Sequence, residues 1–192
     1  MTNYRTTRVS LIAGLVVVLA LLMSPLAAQA EDVGYFRCKI DPWDAGVFIN
    51  GKYYGTAAMF GHKSNPLKLK PGRYTVEFVD PRYETLRVEI QIEPGKTTTI
   101  RKSMKPLARK VEGPFGELKT EGWPNAAVYL NGKYYGNTKE LGTPGHVLLL
   151  NPGTYDLKIV DVNGNTLKEE KITINADETL IIHKGRAPVR EK

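Results

Sequence analysis

The chain has 192 residues, 42% of them hydrophobic and 24% charged, with a formal net charge of +7 and one cysteine. A lone cysteine excludes an internal disulfide framework. The basic excess is too modest to argue for nucleic acid, and although it is compatible with anionic envelope polymers or phospholipid heads, a solvated surface is its ordinary explanation.

Residues 1–30 read as a secretory signal peptide. Arg5 and Arg8 give a basic start, and Leu11 to Met23 is an apolar run of 13 residues, against the roughly 18 or more of a spanning helix. Ser24-Pro25 breaks the run, and Ala28-Gln29-Ala30 supplies a small-x-small cleavage pattern. Cleavage after Ala30 is expected, with an uncleaved anchor as the alternative. No cysteine follows the run closely enough for a lipoprotein. The mature chain would carry 25 basic and 20 acidic residues over 162 positions, enough for two small domains with limited cores. The expected location is exported, periplasmic or extracellular, with no membrane span after cleavage.

From residue 34 onward the dominant signal is period-two alternation. Phe36, Cys38 and Ile40 alternate with Arg37, Lys39 and Asp41. Cys38 therefore sits on the buried face of a strand, as a small hydrophobe. Tyr74, Val76 and Phe78 form another such row, and Leu86, Val88, Ile90 and Ile92 a third. Turn signals separate the runs: Asn50-Gly51, Pro71-Gly72, Pro94-Gly95, Asn131-Gly132, Pro152-Gly153 and Asn163-Gly164. The two Asn-Gly pairs suit type I′ hairpin turns, which need positive φ at both central residues. The two Leu-x-Pro-Gly turns suit type II. Short strands at this spacing predict a sandwich or barrel.

Much of this is written twice. Val47-Phe48-Ile49-Asn50-Gly51-Lys52-Tyr53-Tyr54-Gly55 returns as Val128-Tyr129-Leu130-Asn131-Gly132-Lys133-Tyr134-Tyr135-Gly136, an offset of 81. A period this long marks a duplicated domain rather than a solenoid unit. The offset is 82 at Phe36/Leu118, where Thr120 replaces Cys38, and again at Ile90/Ile172. The second drift predicts a β-bulge near Glu169-Glu170. The expected organisation is a first sandwich over 35–104, a linker over 105–115, a second sandwich over 116–184 and a disordered basic tail over 185–192.

The pattern Pro42-x-x-Ala45-x-Val47-x-Ile49-Asn50-Gly51-x-x-x-Gly55, followed by Leu69-x-Pro71-Gly72-x-Tyr74-x-Val76, resembles the PEGA domain family. Pro124-x-x-Ala127-Val128, Asn131-Gly132-x-x-x-Gly136 and Leu150-Asn151-Pro152-Gly153-x-Tyr155 resemble it a second time. The naming tetrapeptide is altered to Pro-Trp-Asp-Ala and Pro-Asn-Ala-Ala, and the second copy is one residue shorter before its strand. Longer segments, 56–66 and 137–146, replace the threonine-proline that usually follows the hairpin. The resemblance implies two tandem small antiparallel β-sandwiches, transthyretin-like or carboxypeptidase-regulatory-like in arrangement. It also implies an exported accessory module without catalytic residues.

Chemistry-bearing sets are scarce. His62, His146 and His183 lack metal-ligand spacing, so no metal or other cofactor is expected. The mature chain has no Gly-x-Ser-x-Gly. Asp80 and Asp161 recur at strand ends, where turn capping explains them. The candidate contact residues are aromatic and basic. A two-residue turn places Phe48 opposite Tyr53, Val47 opposite Tyr54 and Tyr129 opposite Tyr134. Tyr54 is then expected to face the core and Tyr53 to face outward. Cross-strand aromatic pairing is a sufficient structural reason for such pairs. The functional alternative makes Phe48, Lys52, Tyr53, Tyr129, Lys133 and Tyr134 two equivalent contact surfaces for a glycan or an extended peptide. The leading reading is an exported, non-catalytic module whose partner is an envelope protein or polysaccharide. The alternatives are a carbohydrate-binding protein that uses the aromatic hairpins, and an envelope hydrolase with an unrecognised carboxylate site.

Overall fold

The computed structural model describes residues 33–108 and 112–191. The expected signal and its cleavage site, and residues 109–111 of the expected linker, lie outside the described residues. The described residues form one compact unit.

Each copy builds two sheets from the alternating runs. In the first copy, β1 (Gly34–Asp41) pairs antiparallel with β4 (Leu67–Leu69) and parallel with β7 (Thr97–Ser103). The facing sheet has the order β3 (Lys52–Thr56), β2 (Gly46–Ile49), β5 (Gly72–Val79), β6 (Leu86–Ile92), all antiparallel. Phe36, Cys38, Val47, Val76, Phe78 and Ile92 fill the space between the sheets and are fully buried. Each side chain of this size contributes about 1.5–3 kcal/mol by leaving water.

The second copy repeats this strand for strand. β8 (Gly116–Glu121) lies between β11 (Leu148–Leu150) and β14 (Thr179–His183). β10 (Lys133–Asn137), β9 (Ala126–Leu130), β12 (Gly153–Asp161) and β13 (Thr166–Ile174) form the facing sheet. Leu118, Val128, Leu130, Leu157, Ile159 and Ile182 make the second core. Register is kept to the residue: Gly34 pairs with Leu69 and Gly116 with Leu150. A side chain at either glycine would run into backbone, Glu93 O at 2.3 Å or Asn175 O at 2.0 Å. The fold is thus all-β, in a tandem sandwich arrangement.

Several local expectations need correction. Both Asn-Gly turns have the positive φ pairs of type I′, 49° and 78° at Asn50-Gly51 and 49° and 74° at Asn131-Gly132. Gly72 and Gly153, however, have φ of 153° and 156°, not the roughly +80° of a type II turn. These residues carry the chain from one sheet to the other, from β4 into β5 and from β11 into β12. The bulge in β13 falls at Leu167, between the pairs Ile159/Lys168 and Val160/Thr166, rather than at Glu169-Glu170. The basic tail is not wholly irregular: β15 (Val189–Glu191) adds to β14. Arg190 anchors it through Thr173 O at 2.8 Å.

The segments that replace the short post-hairpin turn are ordered. Ala57–Phe60 forms a 3-10 turn, and Thr138–Leu141 a single helical turn, α1. The Cys38 thiol donates to Ala57 O at 3.7 Å, and in the second copy the Thr120 hydroxyl donates to Thr138 O at 2.6 Å. Cysteine and threonine thus perform the same local task. Burial pushes the Cys38 thiol up to about 12, which leaves it without thiolate reactivity in the folded chain.

Candidate functional site

The duplicated hairpins determine where the candidate aromatics go. Phe48 pairs with Tyr53 and Tyr129 with Tyr134, as the turn geometry requires. Val47 then pairs with Gly55, not Tyr54, because a bulge leaves Tyr54 unpaired; Tyr135 is skipped in the same way before Gly136. Gly55 and Gly136 absorb the irregularity with φ of 139° and 150°. Tyr54 and Tyr135 pack partly against their own cores. Lys52 Nζ lies 5.5 Å from the centre of the Tyr54 ring, and Lys133 Nζ 5.8 Å from that of Tyr135. Both lysines are exposed.

The outward aromatics are not open to a partner, which overturns the expectation of two separate contact surfaces. Phe48, Tyr53 and Tyr134 are only 8%, 4% and 5% exposed, and Tyr129 is half-buried. The faces that alternation turns away from each core meet one another. Tyr134 lies edge-on to Phe48 at 5.3 Å and tilted against Tyr53 at 5.8 Å. Ala127, Val79 and Val162 close the cluster. Aromatic pairs of this geometry contribute about 0.5–1.5 kcal/mol beyond burial. Gly46 makes the approach possible, since a side chain there would lie 2.7 Å from the Tyr134 ring. Asn137 Nδ2 donates to the Tyr53 hydroxyl at 2.7 Å, and burial pushes that hydroxyl up to about 12.

Beside the cluster, carboxyl groups from both copies converge. Arg82 Nη2 bridges Asp44 Oδ2 at 2.5 Å and Asp80 Oδ2 at 2.6 Å. Asp80 also caps its own turn, accepting from Arg82 N at 2.8 Å. From the second copy, Glu140 of α1 hydrogen-bonds Asp44. Burial, together with the negative charge of Asp44, pushes Glu140 up to about 8. Burial also works to raise Asp44, but hydrogen bonds from Glu140 and Arg82 outweigh it and hold Asp44 below the usual carboxylate range. Asp44 Oδ1 is buried and without another partner among the described residues, and a protonated Glu140 can donate to this carboxyl. The group borders a cavity of about 90 Å³. Asp161, the counterpart of Asp80, stays at the surface and caps its turn through Asn163 N and Asn165 N.

The sequence reading missed Gly46, Asp44, Arg82, Asn137 and Glu140. Only Gly46 carried a local signal, a small residue matched by Ala127. His62 and His146 are exposed, and His183 lies 3.4 Å from Glu121. Among the described residues, no group of three or more His, Cys, Asp or Glu could hold a metal ion. No helix among them is long and apolar enough to cross a membrane.

Residues 39–107 match the family model of the PEGA domain. Comparison with curated proteins finds no match. Among solved structures, the chain is similar to the Bacillus anthracis TIE protein at 18% identity and a TM-score of 0.27, covering 80% of this chain and 33% of that one. It is also similar to a leucine-rich repeat protein from Bacteroides thetaiotaomicron at 15% identity and a TM-score of 0.18, covering 83% of this chain and 26% of that one. The chain spans a third or less of either.

Proposed function

We propose that the chain is an exported, non-catalytic module of two PEGA-like repeats, the second over 116–184, that binds or scaffolds envelope or extracellular components. One observation carries this reading: the duplicated hairpins bury their outer aromatic faces against each other. The repeats thereby become one body whose remaining surfaces keep a fixed relation, as a scaffold requires. The basic start, apolar run and Ala28-Gln29-Ala30 pattern support export, as does the match of residues 39–107 to the PEGA domain. Fractionation of expressing cells tests the reading. Mature protein beginning at Glu31 and retained with the envelope through a salt wash is expected. Protein left in the cytosol, or exported but wholly soluble and without a cross-linked partner, would contradict it.

One observation favours a second reading, a hydrolase. Asp44 and Glu140 border a common cavity, and their environments drive their pKa values apart. Two features weigh against it. The carboxyls hydrogen-bond each other, closer than the roughly 5 Å or more that separates a glycosidase pair. Asp44 is also committed to Arg82 by an ion pair at 2.5 Å. Turnover of a glycan or peptide substrate that is abolished by Glu140→Gln would reinstate the hydrolase.

A further inference from the structure

Trp43 is 58% exposed, more than any other large hydrophobic residue described. Single exposed apolar residues are ordinary, but this one has a fixed base. Its carbonyl accepts from Ala58 N at 2.8 Å, and Ala45 N closes the preceding turn onto Pro42 O at 3.3 Å. An indole on a held backbone has only two torsions to lose on stacking. Trp43 also lines two hollows. One, of about 410 Å³, is shared with the second repeat through Asn125, Lys139, Thr143 and His146; the other, of about 390 Å³, holds Lys39 and His62. Both volumes lie within the roughly 300–1,000 Å³ of small-molecule sites.

Lys39 and Lys139 line the hollows beside Trp43, and Asp44 and Glu140 border the larger one. Lys39 and Lys139 are exposed. Neither forms an ion pair among the described residues. The carboxyls that border the larger hollow add little opposing charge, because Asp44 is bound to Arg82 and Glu140 holds its proton up to about pH 8. An aromatic plane edged by cations and by hydroxyl and imidazole groups matches a sugar ring. The apolar ring face stacks on indole, the hydroxyls bond at the edge, and a carboxylate on the sugar meets lysine.

We propose that Trp43 and the larger hollow bind an acidic sugar residue of an envelope or extracellular glycan. The proposal rests on the reading of the chain as an exported binding module and supplies its ligand class. It assigns the glycan site to Trp43 rather than to the hairpin tyrosines. It also predicts one site per chain despite the duplication. The second repeat carries Asn125 where the first has Trp43, and that amide is occupied by Asn137 and Met59. The site exists only because the second repeat docks and brings Lys139 and His146 to the Trp43 side.

Calorimetric titration of the full secreted chain with oligogalacturonate, beside a neutral cello-oligosaccharide, tests this. One equivalent of the acidic probe is expected to bind. Trp43→Ala should weaken it at least tenfold with circular dichroism unchanged, and Trp43→Phe should keep most of the affinity. Lys139→Gln should reduce the preference for the acidic over the neutral probe. The proposal is overturned by no binding of oligogalacturonate at millimolar concentration, by undiminished binding in folded Trp43→Ala, by two equivalent sites, or by equal affinity for the neutral probe. Envelope retention without glycan binding would remove this site and leave the module reading intact. Glycan binding by a chain that is never exported would do the reverse.

Discussion

The two repeats share strand order, hairpin turn type and, apart from the β13 bulge, register, yet equivalent positions meet different surroundings. Asp80 and Asp161 end equivalent strands. The first is buried and paired with the more exposed Arg82 beside the second repeat, while the second caps a turn at the surface. Phe48 and Tyr129 occupy one hairpin position, but Phe48 is buried and Tyr129 is half-buried. Cys38 and Thr120, deep inside their sandwiches, keep equivalent contacts instead. The lesson is that duplication preserves what each sandwich needs internally, and docking one copy on the other makes their surfaces unequal.

That contrast can be broken most forcefully at the shared aromatic face. Tyr134→Ala should destabilise the chain by about 3 kcal/mol, as expected for a buried aromatic, measured by urea unfolding. Gly46→Val should cost about 1–3 kcal/mol through overpacking against the Tyr134 ring. Ala127→Gly, at the matching position, should cost only about 1 kcal/mol. Equal effects at the two positions would deny the asymmetry.

The carboxyl group sharpens the comparison next. Glu140 has a raised value in the folded chain, about 8 against an ordinary 4.5. Its contribution is therefore fully present below about pH 4.5 and is lost as pH rises to about 8. The melting temperature should fall across that window, and Glu140→Gln, which keeps a donor for Asp44, should flatten the fall. An unchanged pH profile in the variant would show that Glu140 holds no shared proton. Asp161, the surface counterpart of Asp80, should contribute nothing within this window.

The internal equivalence predicts smaller effects. Cys38→Thr should cost no more than about 1 kcal/mol, because threonine already makes the matching bond in the second repeat. Wild-type Cys38 should resist a thiol reagent until the chain unfolds. Rapid labelling of the native protein would contradict its placement. Smallest of all is the sheet edge. β4 carries Lys68 where β11 carries Leu149, which is 51% exposed. Leu149→Lys should change stability by less than about 0.5 kcal/mol while lowering self-association in sedimentation, since lysine protects an edge strand.

Much of the sandwich was legible because its causes are local. Alternation placed Cys38, Val76 and Phe78 inside, and Asn-Gly dictated the hairpin turns. The hairpin bulges were legible in principle, since Gly55 and Gly136 repeat where no turn calls for glycine. The docked face was not. Alternation says that Tyr53 leaves its own core, but not whether water or another repeat lies beyond. Glu140 carried no signal at all, because its proton depends on Asp44 and Arg82, which are distant in the chain.

Hairpin faces from the two repeats bury each other, and a double-mutant cycle between Phe48 and Tyr134 tests this most directly. These residues belong to different repeats, with ring centres 5.3 Å apart. Unfolding of the wild type, Phe48→Leu, Tyr134→Leu and the double variant should give a coupling energy of about 0.5–1.5 kcal/mol. A coupling of zero, with all four proteins folded, would mean that the repeats do not meet through these hairpins in solution.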